Sequence, residues 1–269
     1  MLTRGELDAA WAAQPLTLTR QHGRATLILR DPGGEPLDSL IERRKGQGID
    51  LTWFLSIANG LTTALSEAHR KGIIHKDVKP ANALVDGSGR TWLMGFGFAS
   101  RLPRERLAPA PPEIIAGTLA YMSPEQTGRM NRSLDTRSDL YSLGVTLYEM
   151  LTGTLPFTAG DPLEWVHCHI ARWPAAPTDR RAVPETLSAI IMRLLAKNPE
   201  ERYQTATGLE SDLRRCLAEW QTDGRVRPFQ LRLADLPHTL LIPEKLYGRE
   251  REVDALLAAF DRVVAQGST

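Results

Sequence analysis

The run HKDVKPAN at residues 75–82 constrains this chain more than any other stretch. It sets an acid (Asp77), a cation (Lys79) and an amide (Asn82) close together, and its Lys-Pro pair holds the backbone extended. Asp77 can accept a proton from a hydroxyl, Lys79 can neutralise a phosphate, and Asn82 can offer its carbonyl oxygen to a hard cation. Taken singly, each is an ordinary surface residue. Together they are the chemistry of a site that moves a charged group.

Composition narrows the setting. A chain of 269 residues makes one large domain, or one domain plus a fragment. With 42% hydrophobic and 24% charged residues it has the balance of a soluble globular protein. A formal net charge of +1 gives no reason to expect nucleic acid or an anionic membrane as partner. No apolar run nears the roughly 18 residues needed to cross a bilayer, and the start MLTRGELDAAWAAQ lacks a signal-peptide core. Cys168 and Cys216 are the only cysteines, which suits a reducing compartment, so a cytoplasmic location is expected.

Taken in order, residues 15–20 (PLTLTR) and 25–30 (ATLILR) alternate as two short strands around a turn at 21–24, and DPGG at 31–34 breaks the pattern. Helices are predicted at 36–45 and 50–71. In the second, Leu51, Phe54, Leu55, Ala58, Leu61, Leu65 and His69 recur at helical spacing, with Lys71-Gly72 as the stop. The stretches 83–85 and 90–94, joined by DGSG, form a hairpin. Asp139 opens a strongly apolar helix to about residue 151, stopped by Gly153, and more helices follow at 162–171, 185–196 and 205–220. His167-Cys168-His169 has no metal-site geometry, because positions i and i+2 leave a helix on different sides.

Five elements occur in one order: HKDVKPAN, GFG at 95–97, GTLAYMSPE at 117–125, the helix opened by Asp139, and NPEER at 198–202. On these motifs residues 25 to about 220 resemble a Ser/Thr protein kinase domain. The resemblance implies an α+β, protein-kinase-like fold, a mostly helical large lobe with a truncated small-lobe sheet. It implies Asp77 as catalytic base, Lys79 on the transferred phosphate, Asn82 as a magnesium ligand and Thr118 in contact with Asp77 and Lys79. ATP and Mg2+ are the implied cofactors, with Leu29, Arg30 and Pro32 at the adenine-facing hinge beside Lys79 and Asn82. Pro32 there would lack the usual backbone N–H. His75, Gly95, Phe96, Gly97, Glu125, Asp139 and Arg202 take structural places. Glu125 pairs with Arg202, and Asp139 either hydrogen-bonds the catalytic-loop backbone, caps its helix, or does both.

The departures from that pattern are as informative. Gly95 stands where the family has the metal-holding Asp, and Asp86 falls too early to replace it. No GxGxxG loop and no strand lysine precede the hinge; Lys45 and Lys71 are the only lysines before the loop, both at helix ends or turns. Lys76 replaces the Arg that receives an activation-loop phosphate, and no Ser, Thr or Tyr lies between Ser100 and Thr118. The basic stretch 101–106 is a docking surface or a solvated loop.

The sequence therefore divides into a small-lobe remnant (1–30), a large lobe with catalytic loop and activation segment (31–220), a linker (221–245) and a further helix (246–269). That last stretch resembles the entry to an AAA-type or STAND-type ATPase domain, or is a helix packing on the same domain. With GTLAYMSPEQTGRMNR it is similar to bacterial hybrid proteins that join a kinase-like domain to an ATPase and a sensor histidine kinase. Two functions follow: a pseudokinase that binds a protein partner and signals to those downstream domains, or an active kinase acting on Ser or Thr of a protein substrate. Gly95 and the missing small-lobe parts make ATP and Mg2+ binding weak or absent and favour the first.

Overall fold

Two long helices carry the core because their apolar residues recur every third or fourth position. In the computed structural model, which describes residues 7–21, 24–44, 48–101, 119–130 and 132–236, helix α2 (Leu51–Arg70) starts where the Asp50 carboxylate accepts the amides of Thr52 and Trp53. It ends past Lys71 at Gly72, whose φ of +70° suits glycine. Phe54, Leu55, Ala58, Leu61 and Leu65 on its inner face are all buried. Helix α7 (Ala206–Asp223) lies alongside, tied by Asn59 Nδ2 to the Leu213 carbonyl (3.2 Å) and by Thr63 Oγ1 to Glu210 (2.8 Å).

Helix α3 (Thr136–Thr152) is buried on nearly every side, so it shows no amphipathic period. Its start corrects the sequence reading. Asp135, not Asp139, is the cap, its carboxylate accepting the Arg137 amide at 2.9 Å. Asp139 lies one turn inside the helix, free to point elsewhere. Around this centre stand α1 (Leu37–Glu42), α4 (Pro162–Ile170), the short α5 (Pro177–Arg180) and α6 (Glu185–Leu194). Helix α1 is shorter than the 36–45 expected, and α5 was not foreseen.

The strands form two separate sheets. β1 (Pro15–Gln21) and β2 (Arg24–Leu29) pair antiparallel with Leu18 opposite Leu27. β3 (Glu35–Pro36), β4 (Ala83–Val85) and β5 (Thr91–Leu93) make a three-stranded sheet in that order. The chain reaches β3 through a tight turn in which Asp31 accepts the Gly33 amide. Gly34 there (φ +92°) lies so close to β4 that a Cβ would sit 2.6 Å from the Val85 carbonyl oxygen.

Residues 7–13 add what the sequence reading missed. Ala12 bridges Leu93 in parallel, Leu93 donates to the Trp11 carbonyl (2.9 Å) and Ala13 donates to the Leu93 carbonyl (3.1 Å). Trp92 Nε1 donates to the Ala9 carbonyl at 2.9 Å. Leu7, Trp11 and Ala12 are buried in the main core, so this stretch belongs to the helical body and not only to a small-lobe remnant.

The chain divides into two units, Met1–Leu236 and Pro237–Thr269. The second, with the helix expected from residue 246, lies outside the described residues. Of the docking linker expected over 221–245, residues 221–223 instead finish α7, and 225–236 lie against α7 and α6: the Arg227 amide donates to Glu219 and Thr186 Oγ1 to the Arg227 carbonyl. Among the described residues no helix is long and apolar enough to cross a membrane.

Candidate active site

The loop at 75–82 is fixed from below by α3. Asp139 is fully buried; one oxygen accepts the His75 amide (2.8 Å) and His69 Nε2 (2.8 Å), the other the Lys76 amide (2.7 Å). Burial alone would raise its pKa, but the His69 side chain and the loop amides hold it below the ordinary carboxylate value. That grip stabilises Lys76 at φ +67°, a left-handed conformation that costs a non-glycine residue about 1–2 kcal/mol.

The buried His75 ring locks the loop to the strand that follows. Its Nε2 faces the Met94 carbonyl (2.9 Å), which can only accept, so Nε2 carries the proton. Nδ1 then accepts the Asp77 amide (3.2 Å). Burial lowers the pKa and keeps this neutral form. The Met94 amide donates to the Asn82 carbonyl at 2.9 Å, so loop and strand end are joined twice. Phe96 closes the arrangement, edge-on to His75 (centroids 4.6 Å apart) and to Trp11 (6.2 Å).

Asp77, Lys79 and Asn82 come together as one cluster. Lys79 Nζ lies 2.9 Å from Asp77 Oδ2. Asn82 Nδ2 reaches the same oxygen (2.7 Å) and the Asp77 backbone carbonyl (2.8 Å). Asp77 Oδ1 is buried without a hydrogen-bond partner, and a buried acceptor left unmade costs about 1–3 kcal/mol. Oδ1 is thus the carboxylate's uncommitted oxygen.

Gly95 adjoins this cluster at φ +85°. A Cβ there would lie 2.4 Å from Asn82 Cγ, so the Asn82 amide occupies the room that any side chain at 95 would need. Gly97 is exposed, and a Cβ on it would meet nothing within 4 Å. Asp86 turns away into its hairpin, accepting from Ser88 and the Arg90 amide.

A second shelf abuts the loop. Gln126 Nε2 donates to the Lys76 carbonyl at 2.7 Å, and its Oε1 accepts the Ser123 amide. Glu125 and Arg202 are both buried and meet in a forked pair, 2.7 and 3.0 Å. The guanidinium also donates to the carbonyls of Ala196, Arg137 and Lys197, and Ser138 Oγ donates to Glu125. Desolvation would raise the pKa of Glu125, but Arg202 and Ser138 carry it below 4.5. From α4, His169 Nε2 meets the Leu119 carbonyl (2.7 Å), which fixes that nitrogen as donor and leaves Nδ1 to accept the Tyr141 hydroxyl (2.9 Å). Burial pushes its pKa down to about 4.

Other sequence-chosen residues stand apart. Leu29 ends β2 and Arg30 and Pro32 follow it, with no hydrogen bond to the cluster among the described residues; Arg30 donates its amide to the Gln14 carbonyl (2.7 Å). Thr118, with the stretch 102–117, lies outside the described residues. His69, Gln126, His169 and Trp11 were not singled out for these roles. His69 had a signal, a histidine on the apolar face of a core helix; the others had none.

Residues 16–213 match the family described as "Protein kinase domain". The chain is similar to the serine/threonine-protein kinase PknB of Mycobacterium tuberculosis, 41% identical over 151 residues, 56% of this chain and 24% of that protein. It is also similar to the serine/threonine-protein kinase PksC of Streptomyces coelicolor, 34% identical over 198 residues, 72% of this chain and 35% of that protein. The matched stretches thus span about a quarter to a third of these relatives.

Proposed function

The chain belongs to the protein kinase domain family, and from that premise we propose that its cleft is a Ser/Thr kinase-type site working mainly as a pseudokinase. It engages a Ser- or Thr-bearing protein segment and turns it over slowly or not at all. In this reading Gly95 replaces the family's metal-holding carboxylate. The observation that carries it is the packing there: the Asn82 amide fills the space beside Gly95 and spends its nitrogen on Asp77. One amide oxygen and one free carboxylate oxygen are a poor donor set for a magnesium ion that must bridge phosphates. The residues do not fit the metal.

What the cleft retains suits recognition. Asp77 Oδ1 accepts a hydroxyl proton, Lys79 supplies a positive charge beside it, and the shelf at 119–127 seats the peptide that carries the hydroxyl. We assign residues 246–269 to the start of an ATPase domain and propose such a domain, with a sensor histidine kinase, as the receivers of the signal. A cytoplasmic location goes with this reading.

Millimolar Mg-ATP is expected to leave the melting temperature unchanged, whereas a ligand at 100 times its dissociation constant adds about 2.7 kcal/mol. The second reading, an active kinase with Asp77 as base, is favoured by the unpaired Oδ1. It replaces the first if Mg-ATP raises the melting temperature and the chain transfers phosphate to a protein in a reaction that Asp77→Asn abolishes.

A further inference from the structure

We propose that residues 225–236 are a strap, latched by Asp235 into the start of α7, that holds the 119–127 shelf in place, so that unlatching it loosens the shelf. The strap begins where α7 stops. Gly224 (φ +63°) turns the chain back, and Val226, Phe229 and Leu231 pack against the core. The Arg215 guanidinium lies over the Phe229 ring, 4.1 Å from its centroid, and the Arg232 amide donates to Asp212 at 2.9 Å.

The far end is held differently. The Asp235 side chain is fully buried, while its neighbours Leu233 and Leu236 are 66% and 72% exposed. Hydrophobic burial would give the opposite pattern, so the strap's end is held by polar bonds. Its carboxylate accepts the amides of Gln204 (2.8 Å) and Thr205 (2.9 Å), the Thr205 hydroxyl (3.0 Å) and Arg232 Nε (2.8 Å). A carboxylate at a helix N-terminus is favourably placed, and such a latch opens without exposing a new apolar face.

The latch grips residues that build the shelf. Gln204 is held by Asp235 through its amide, and its side chain donates to the Pro199 and Arg202 carbonyls and accepts Arg137 Nη1 at 3.0 Å. Arg202, two residues before it, holds Glu125. Glu125 precedes Gln126, which holds the catalytic-loop carbonyl of Lys76. Every step is a hydrogen bond or a neighbouring residue. Its meaning as regulation rests on the shelf being the peptide seat, but the coupling itself does not.

Gly208 offers a clean test, because a Cβ there would lie 2.5 Å from Asp235 Oδ1 and 2.6 Å from Asp235 Cα. Gly208→Ala therefore evicts the latch while removing no charge and favouring the helix. Amide hydrogen exchange on the full chain is expected to speed at least about tenfold in residues 204–205 and in 119–127, in both Gly208→Ala and Asp235→Asn, with α2 unchanged. Faster exchange at 204–205 with 119–127 unaffected overturns the proposal. Should both variants unfold, the wild-type chain decides: under low denaturant, 204–205 and 119–127 are expected to open together with one denaturant dependence, and separate dependences overturn the coupling. Since no nucleotide or peptide enters this assay, its failure is distinct from failure of the pseudokinase reading.

Discussion

At Gly95 one missing side chain reorganises its surroundings. Alanine there meets two costs: a left-handed backbone, about 1–2 kcal/mol, and a Cβ placed 2.4 Å from Asn82 Cγ. The second is relieved only if Asn82 swings away and abandons Asp77. Gly95→Ala is therefore expected to destabilise by about 2–3 kcal/mol, read as the denaturation midpoint. In an Asn82→Ala background the penalty should shrink to the backbone cost alone; an undiminished penalty would show that the amide does not fill that space. The Glu125–Arg202 pair makes a different demand. Glu125→Ala leaves a buried guanidinium without its main partner and should cost about 3–5 kcal/mol, whereas replacing both residues with leucine and methionine should cost less, because no buried charge is then stranded. Equal losses from the two variants would contradict that account.

At the level of elements, residues 7–13 are the least expected structural member. The strand of backbone bonds to Leu93 and the Trp11 ring against Phe96 tie it to the site's far wall. Trp11→Ala is expected to cost about 3–5 kcal/mol, seen as a lower melting temperature, and to quicken exchange around His75; a melting temperature like the parent's would reduce this segment to an ornament of the surface. Nothing in AAWAA announces that role, since a short apolar stretch gains its partner only when β5 exists. Elements with a period were legible: α2, α4, α6, α7 and the two hairpins follow from spacing, caps and turn residues. The catalytic-loop cluster was legible as a list of residue types. The cause of its rigidity, Asp139 holding backbone 63 and 64 residues earlier, was legible only through the family resemblance; by spacing alone a first-turn Asp looks like a cap. Asn82 filling the room at Gly95 depends on a φ of +85° that no pattern discloses.

Across the whole molecule, burial of neutral histidine sets how the fold answers acid. The His169 pKa falls to about 4 from an ordinary 6.5, with desolvation as the main cause, and His75 moves in the same direction. The unfolded chain takes up these protons below pH 6.5 and the folded chain does not, so stability is fully present above that pH. It should fall as the pH drops toward 4, by on the order of 3 kcal/mol for His169 alone. Glu125 and Asp139 have depressed pKa values in the fold, so their contribution is present above about pH 4.5 and is lost only below it. Two acid stages result, histidine first and carboxylate second. Glutamine at 169 can keep both hydrogen bonds, donating to the Leu119 carbonyl and accepting from Tyr141, without a titrating ring. In His169→Gln the urea-unfolding free energy should therefore lose most of its slope between pH 6.5 and 4.5 while keeping its fall at lower pH. A slope identical to the parent's would place the first stage elsewhere, with His75 the next group to replace.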